Sequence, residues 1–135
     1  MPHAHLQTEV REEVAIKTIL AVEEDEGIGE ILQSIVALEI NYHLHLFNHP
    51  SKALQAIQTM APHLLLLDFH LPSIDGLELY DLMKILTGGE TIPTIILSND
   101  TSPYLMEGSK ERGIVVVKKP FEMEDLLHRI EYGLN

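Results

Sequence analysis

The stretch PHLLLLDFHLPSIDGLEL, Pro62 to Leu79, decides the fold. Its run Leu64 to Leu67 is short and continuously apolar, the pattern of a strand buried on both faces. Asp68 closes the run, so a carboxylate is carried at a rigid strand end. Beyond it Leu77, Tyr80, Met83 and Leu86 fall at helical spacing, and Gly88-Gly89 stops that stripe.

The same alternation repeats on either side. Ile16 to Val22 is an apolar run rich in β-branched residues, and Ile28, Ile31, Leu32, Ile35 and Leu38 then form a one-sided helical stripe. His43 to Phe47 alternates like a strand. Ser51 to Met60 has the composition of a helix, capped by Ser51 or Asn48. Pro93 opens the run Thr94 to Leu97, Thr101 to Glu111 is a weak helix closed by Gly113, and Ile114 to Val117 is a fifth short run. Met123, Leu127, Ile130 and Leu134 make the last stripe. Five strands alternating with five helices predict an α/β fold, one parallel sheet with helices on both faces. Residues 1–15 mix His, Glu and Arg without periodicity and read as an N-terminal arm, leaving 16–135 as the single domain.

Composition agrees with that count and excludes several roles. The 135 residues carry 21 acids against 9 bases, a net charge of −12, and 45% of them are hydrophobic. That is enough for one domain with a full core. Aromatic residues make up only 5% and Trp is absent, so the core must be built from Leu, Ile, Val and Met. The acidic balance argues against direct nucleic-acid binding and against a role on anionic lipid. Without Cys there is no disulfide, no thiolate zinc site and no thiol nucleophile. No apolar run approaches the roughly 18 residues that span a bilayer. The N-terminus lacks the pattern of a secretory signal, so a cytoplasmic location is expected, and the sequon at Asn99-Asp100-Thr101 reads as chance.

In open parallel sheets, ligands bind outside the carboxyl ends of the strands. Here the first run ends in Glu23-Glu24-Asp25-Glu26, the third in Asp68, the fourth in Ser98 and the fifth in Lys118-Lys119-Pro120. Only the second ends blandly, in Asn48-His49-Pro50. One polar strand end means little, but four delivered to one edge are a site. Carboxylates crowded there repel one another and raise each other's pKa. A hard divalent cation with oxygen ligands, such as Mg²⁺, relieves that repulsion. Lys119 adds a point charge suited to phosphate, and Ser98 a hydrogen-bond donor. Acids, metal, hydroxyl and lysine around one carboxylate suit phosphoryl transfer to that carboxylate.

The segments AVEEDEGI, PHLLLLDFHLPSIDGLEL, IPTIILSND and VVVKKPF resemble the receiver domain of two-component response regulators, the CheY-like family, over residues 16–135. The D-x-x-L-P-x-x-D-G-L stretch from Asp68 and the K-P-F from Lys119 are its most specific parts. The resemblance implies a five-stranded parallel sheet of order 2-1-3-4-5, flavodoxin-like in its winding. It implies that Asp68 accepts a phosphoryl group from a sensor histidine kinase or phosphotransfer protein. It makes Glu23 and Glu24 the acid pair of a Mg²⁺ site, with Glu24 as direct ligand, and adds Asp68 and the backbone carbonyl of His70. Ser98 and Lys119 become the groups that contact the phosphoryl group, and Val116 occupies the switch position. It implies a phosphoacceptor, not an enzyme in the ordinary sense. Its partners are a kinase and, through residues 101–135, a second copy or an output protein.

Four positions depart from the family pattern. The direct metal ligand is usually Asp; Glu24 is one methylene longer, and Asp25 replaces it if the loop register slips by one. Val116 stands where an aromatic usually turns inward on activation, so the usual hydroxyl–aromatic coupling cannot work in that form. Asn99 replaces a small residue beside Asp68 and restricts access to it. His70 sits two after the acceptor, where the family tunes the lifetime of the phosphoryl group. These departures motivate an alternative reading, a pseudo-receiver that binds partners without phosphorylation. A phosphatase of the aspartyl-nucleophile type needs a second Asp two after the nucleophile, and His70 argues against it.

Three weaker signals remain. Gly27-Ile28-Gly29 before a helix resembles part of a dinucleotide fingerprint, but the third glycine position is Leu32 and the preceding acids would repel a pyrophosphate. The pairs His3/His5 and His43/His45 have metal-ligand spacing on a strand, without a third ligand placed by sequence. They read as solvated histidines. Lys118-Lys119 is too short for a nucleic-acid patch. The length holds one receiver and no effector, so the chain is expected to act through protein contacts or within a longer protein.

Overall fold

The computed structural model describes residues 15–135, so all of the expected arm except Ala15 lies outside the described residues. Five parallel strands, β1 (Lys17–Val22), β2 (Tyr42–Phe47), β3 (Leu64–Asp68), β4 (Thr94–Ser98) and β5 (Val115–Lys118), form one sheet. Their order is β2-β1-β3-β4-β5. The helices α1 (Glu26–Ala37), α2 (Pro50–Ile57), α3 (Gly76–Leu86), α4 (Pro103–Arg112) and α5 (Met123–Leu134) alternate with them. Both the α/β class and the strand order agree with the sequence reading.

The period of two along a strand divides the four leucines of β3 between two cores. Leu65 and Leu67 join Leu20, Val22 and Ile96 under α2, α3 and α4, with Ala53, Ile57, Tyr80, Met83 and Leu105. Leu64 and Leu66 join Ile19, Ala21, Ile95 and Leu97 under α1 and α5, with Leu32, Ile35, Leu126 and Ile130. All four leucines are buried. Each contributes roughly 1.5–3 kcal/mol through burial, so the strand that ends in Asp68 is firmly held.

Local signals set the helix boundaries. Asp25 Oδ1 accepts from the Ile28 N–H at 2.9 Å and caps α1. Asp75 and Glu78 close a reciprocal capping box on α3, with Asp75 Oδ1 accepting from the Glu78 N–H at 2.9 Å. Ser102 caps α4 ahead of Pro103, and Gly113, at φ 70°, supplies the left-handed residue that ends it. These caps define a helix whose apolar stripe is weak. The cap of α2 differs from expectation. It is His49, whose Nδ1 accepts from the Ser51 N–H at 3.1 Å, and not Ser51 or Asn48. With Pro50 inside the first turn, the helix begins earlier, and an imidazole nitrogen replaces the usual oxygen acceptor.

Helix α4 is tied near both of its ends to α3, at the N-cap and the middle of that helix. The Tyr104 hydroxyl donates to Asp75 Oδ2 at 3.0 Å. Arg112 grips Asp81 with two parallel bonds of 2.8 Å, and its guanidinium holds the Asp81 carboxyl below the usual range. Between them Gly108 leaves room for Leu77, whose Cδ1 would lie 2.6 Å from a Cβ at that position and would have to shift. Gly76 is required at the other contact that matters: its Cβ would fall 2.8 Å from the backbone oxygen of Asp68.

One buried group works against the fold. Ser109 on α4 is 2% exposed, and its hydroxyl has no hydrogen-bond partner among the described residues. Leaving a buried hydroxyl unpaired costs about 1–3 kcal/mol, and Ala is also the better helix former. Ser109→Ala is therefore expected to raise the stability by about 1 kcal/mol, read as a higher urea midpoint with an unchanged slope.

Candidate functional site

The carboxyl ends of β1, β3, β4 and β5 come together at one edge of the sheet. Asp68 is the last residue of β3, and the Phe69 N–H continues the ladder to the Leu97 oxygen at 2.9 Å. Ser98 ends β4, and its oxygen accepts from the Lys119 N–H at 2.9 Å, fixing the start of the next loop. Glu23 follows β1, tied by its N–H to the Phe47 oxygen at 3.0 Å. The peptide between Lys119 and Pro120 is cis.

Burial makes this edge unusual. Glu23 is 3% exposed, Asp68 5% and Ser98 1%. The Lys119 ammonium stands between the two acids, donating to Asp68 Oδ1 at 2.8 Å and to Glu23 Oε1 at 3.0 Å. Two carboxylates thus share one ammonium. Burial pushes the Glu23 carboxyl up to about 7, and the Asp68 charge adds to that, against the hydrogen bonds from Lys119 and from the Asp25 N–H. Burial alone would lower the Lys119 pKa, but its hydrogen bonds to Asp68 and Glu23 outweigh that and hold it above the usual lysine value.

Of the residues singled out in the sequence, Glu23, Asp68, Ser98 and Lys119 meet at this edge. Glu24 is exposed, and its carboxylate makes no hydrogen bond among the described residues. Asp25 serves the first turn of α1. After Val22, Glu23 turns inward and its neighbour outward, and the helix start engages the third acid. Among the described residues no group of three or more His, Asp or Glu is gathered as a metal cage. The donors at the edge are nonetheless all oxygen, and the buried pair exceeds its one ammonium by a negative charge. That chemistry fits a hard cation such as Mg²⁺ and not a soft one.

Val116 lies half-buried on β5 opposite Ile96 and packs on the core under α2, α3 and α4. Asn99 is exposed and borders a mostly apolar cleft of about 390 Å³ beside Lys119, with Ile28, Ile31 and Met123. His70 points to solvent, with Nε2 3.8 Å from Asp100 Oδ2. One feature escaped the sequence reading. Ser98 Oγ accepts from the Asp100 N–H at 2.9 Å, Asp100 Oδ1 from the Ser102 N–H at 2.9 Å, and Ser102 Oγ from the Leu105 N–H at 3.3 Å. A relay of side-chain acceptors thus runs from the site to the first turn of α4. Its signal is the spacing of Ser98, Asp100 and Ser102, acceptors at every second residue in a loop.

Residues 19–131 match the response regulator receiver domain family. The response regulator MprA of Mycobacterium leprae is 30% identical over 113 residues, covering 83% of this chain and 48% of that protein. The DNA-binding response regulator MtrA of Mycolicibacterium smegmatis is 27% identical over 117 residues, covering 86% and 50%. The chain therefore spans about half the length of the curated relatives it matches. Among solved structures, a CheY-like receiver domain protein of Methanospirillum hungatei superposes with a TM-score of 0.80 at 26% identity, over 89% of this chain and 94% of that one. No helix among the described residues is long and apolar enough to cross a membrane.

The raised Glu23 pKa makes a pH prediction. Below about pH 4.5 the carboxyl is protonated in both folded and unfolded chains; between there and about 7 only the folded chain keeps the proton. The folded state then binds more protons, so stability falls as pH rises through that window. Glu23→Gln removes this part of the slope. In metal-free buffer at pH 8 the variant is expected to exceed the wild type by up to about 3 kcal/mol, measured by urea unfolding from pH 4.5 to 8. Parallel profiles for the two proteins would show that the Glu23 carboxyl is not so perturbed.

Proposed function

The chain belongs to the response regulator receiver family, and on that premise we propose that Asp68 is its phosphoacceptor. The observation that carries this reading is the Lys119 ammonium 2.8 Å from Asp68 Oδ1 at the buried end of β3. The donor is a phosphohistidine on a sensor histidine kinase or a phosphotransfer protein. An oxygen of the ionised Asp68 carboxylate attacks phosphorus in line, the P–N bond to imidazole breaks, and the imidazole leaves with the electron pair and takes up a proton. Such a transfer needs little covalent help from the protein; positioning and charge stabilisation do the work.

Each residue has a part in that work. The leucines of β3 hold the carboxylate still. Lys119 donates to one of its oxygens and meets the charge of the incoming phosphoryl oxygens. Ser98 turns its hydroxyl from the Asp100 N–H to the phosphoryl group. Glu23, Glu24, Asp68 and the His70 carbonyl oxygen would hold Mg²⁺, which supplies further neutralisation of phosphoryl oxygen charge. His70 sits where it affects the approach of water to the product, and Asn99 narrows the entrance. With Val116 at the switch position, no aromatic ring reports the movement of Ser98. The relay through Asp100 and Ser102 carries it to α4 instead, and residues 101–135 present the changed face to a second copy or an output partner.

The setting is cytoplasmic, where such kinases find their phosphodonor. The receiver makes no membrane contact and, being acidic, no direct contact with nucleic acid. That last expectation concerns residues 16–135 alone, since relatives of twice the length include one named as DNA-binding. A second reading, a pseudo-receiver without phosphorylation, is favoured by the exposed Glu24 and the absence of a gathered ligand group among the described residues.

Acetyl phosphate with Mg²⁺ separates the two. The wild type is expected to gain the mass of one phosphoryl group, and Asp68→Asn none. Lys119→Met should slow the gain by about a hundredfold or more, as for loss of a single charge-stabilising donor. Folded wild type that gains no mass at millimolar Mg²⁺ would leave the pseudo-receiver. Mg²⁺ alone should raise the melting temperature of the wild type by relieving the acid pair.

A further inference from the structure

At the far side of the sheet from β5, β2 is an edge strand. Its even-numbered residues Tyr42, Leu44 and Leu46 pack toward α1 and α5. The opposite face carries His43 and His45, both exposed. Their rings are stacked, with centroids 4.5 Å apart and planes within 5° of parallel. They sit beside Thr18 and Leu20 in the register of β1, whereas the acid site begins only after Val22. The phosphoryl chemistry uses neither histidine.

We propose that His43 and His45 form a two-histidine site for a borderline divalent transition ion, Zn²⁺ or Ni²⁺. Alternate residues of a strand share a face, so one backbone segment already fixes both ligands. Imidazole nitrogens sit about 2.0–2.1 Å from such ions. Rings this close and parallel need only tilt toward each other, by rotation about χ2, to present one nitrogen each to a common ion. Imidazole suits Zn²⁺ and Ni²⁺, while Mg²⁺ prefers oxygen, so Mg²⁺ does not compete for this site. The net charge of −12 favours any cation at the surface. Among the described residues there is no third such ligand within a cage, so water completes the coordination.

Titration of the full chain with Ni²⁺ and with Zn²⁺, each alone, tests this by calorimetry and by the histidine ring resonances. One equivalent is expected to bind, shifting the signals of His43 and His45, with no competition from excess Mg²⁺. His43→Asn and His45→Asn should each weaken binding by about tenfold or more, since each ends the chelate. The double variant His3→Asn/His5→Asn is the control, because it removes the other His-x-His pair of the chain, and it should bind as the wild type does. Unchanged affinity in the β2 variants, loss of binding in the control, or no saturable binding at millimolar ion would each overturn the proposal. Both β2 side chains are exposed, so the far-UV circular dichroism of the variants should match the wild type.

Discussion

One ammonium shared by two buried carboxylates governs this molecule. Lys119 reaches from the loop after β5 to acids that follow β1 and end β3, so it stitches an edge strand to the middle of the sheet. Because the three groups do not sum to zero, the site keeps an unmet demand for positive charge. Burial turns that demand into a raised pKa at Glu23. In the proposed function, proton, metal ion and the electropositive phosphorus centre would be different answers to the same imbalance.

Such a cluster is tolerable only in a rigid setting. A buried, imperfectly neutralised group relaxes by moving toward water unless packing prevents it. Here the packing comes from β3, whose four leucines face two separate cores. The strand cannot shift toward either face without opening a cavity on the other. Gly76 adds a second restraint by letting the α3 start lie directly against the Asp68 backbone. The strain of the site is thus borne by apolar contacts some distance from any charge.

What could be read in the sequence follows from this division. Strand β3 was legible because burial on both faces leaves an unbroken apolar run, and the end of α4 because Gly113 acts locally; its start, read at Thr101, falls at Pro103 behind the Ser102 cap. The meeting of Glu23, Asp68, Ser98 and Lys119 followed from strand order. Less legible were assignments among neighbours of like chemistry. Nothing in EEDE says that Glu23 turns inward, Glu24 outward, and that Asp25 is engaged by a helix N-terminus. The cap of α2 went to His49 because backbone geometry, not residue type, decides which acceptor reaches a free N–H. The relay through Asp100 was hidden for the same reason: its links are loop geometry.

The paired fastenings of α3 and α4 carry a mechanical consequence. A helix held at one point can pivot; a helix held near both ends can do little but travel with its neighbour. Tyr104 on Asp75 and Arg112 on Asp81 are such a pair of rivets. A displacement delivered to the first turn of α4 is therefore not spent on that helix alone. It is shared with α3, so in the proposed switch the moving part would be a two-helix slab, and the surface that it sweeps correspondingly broad.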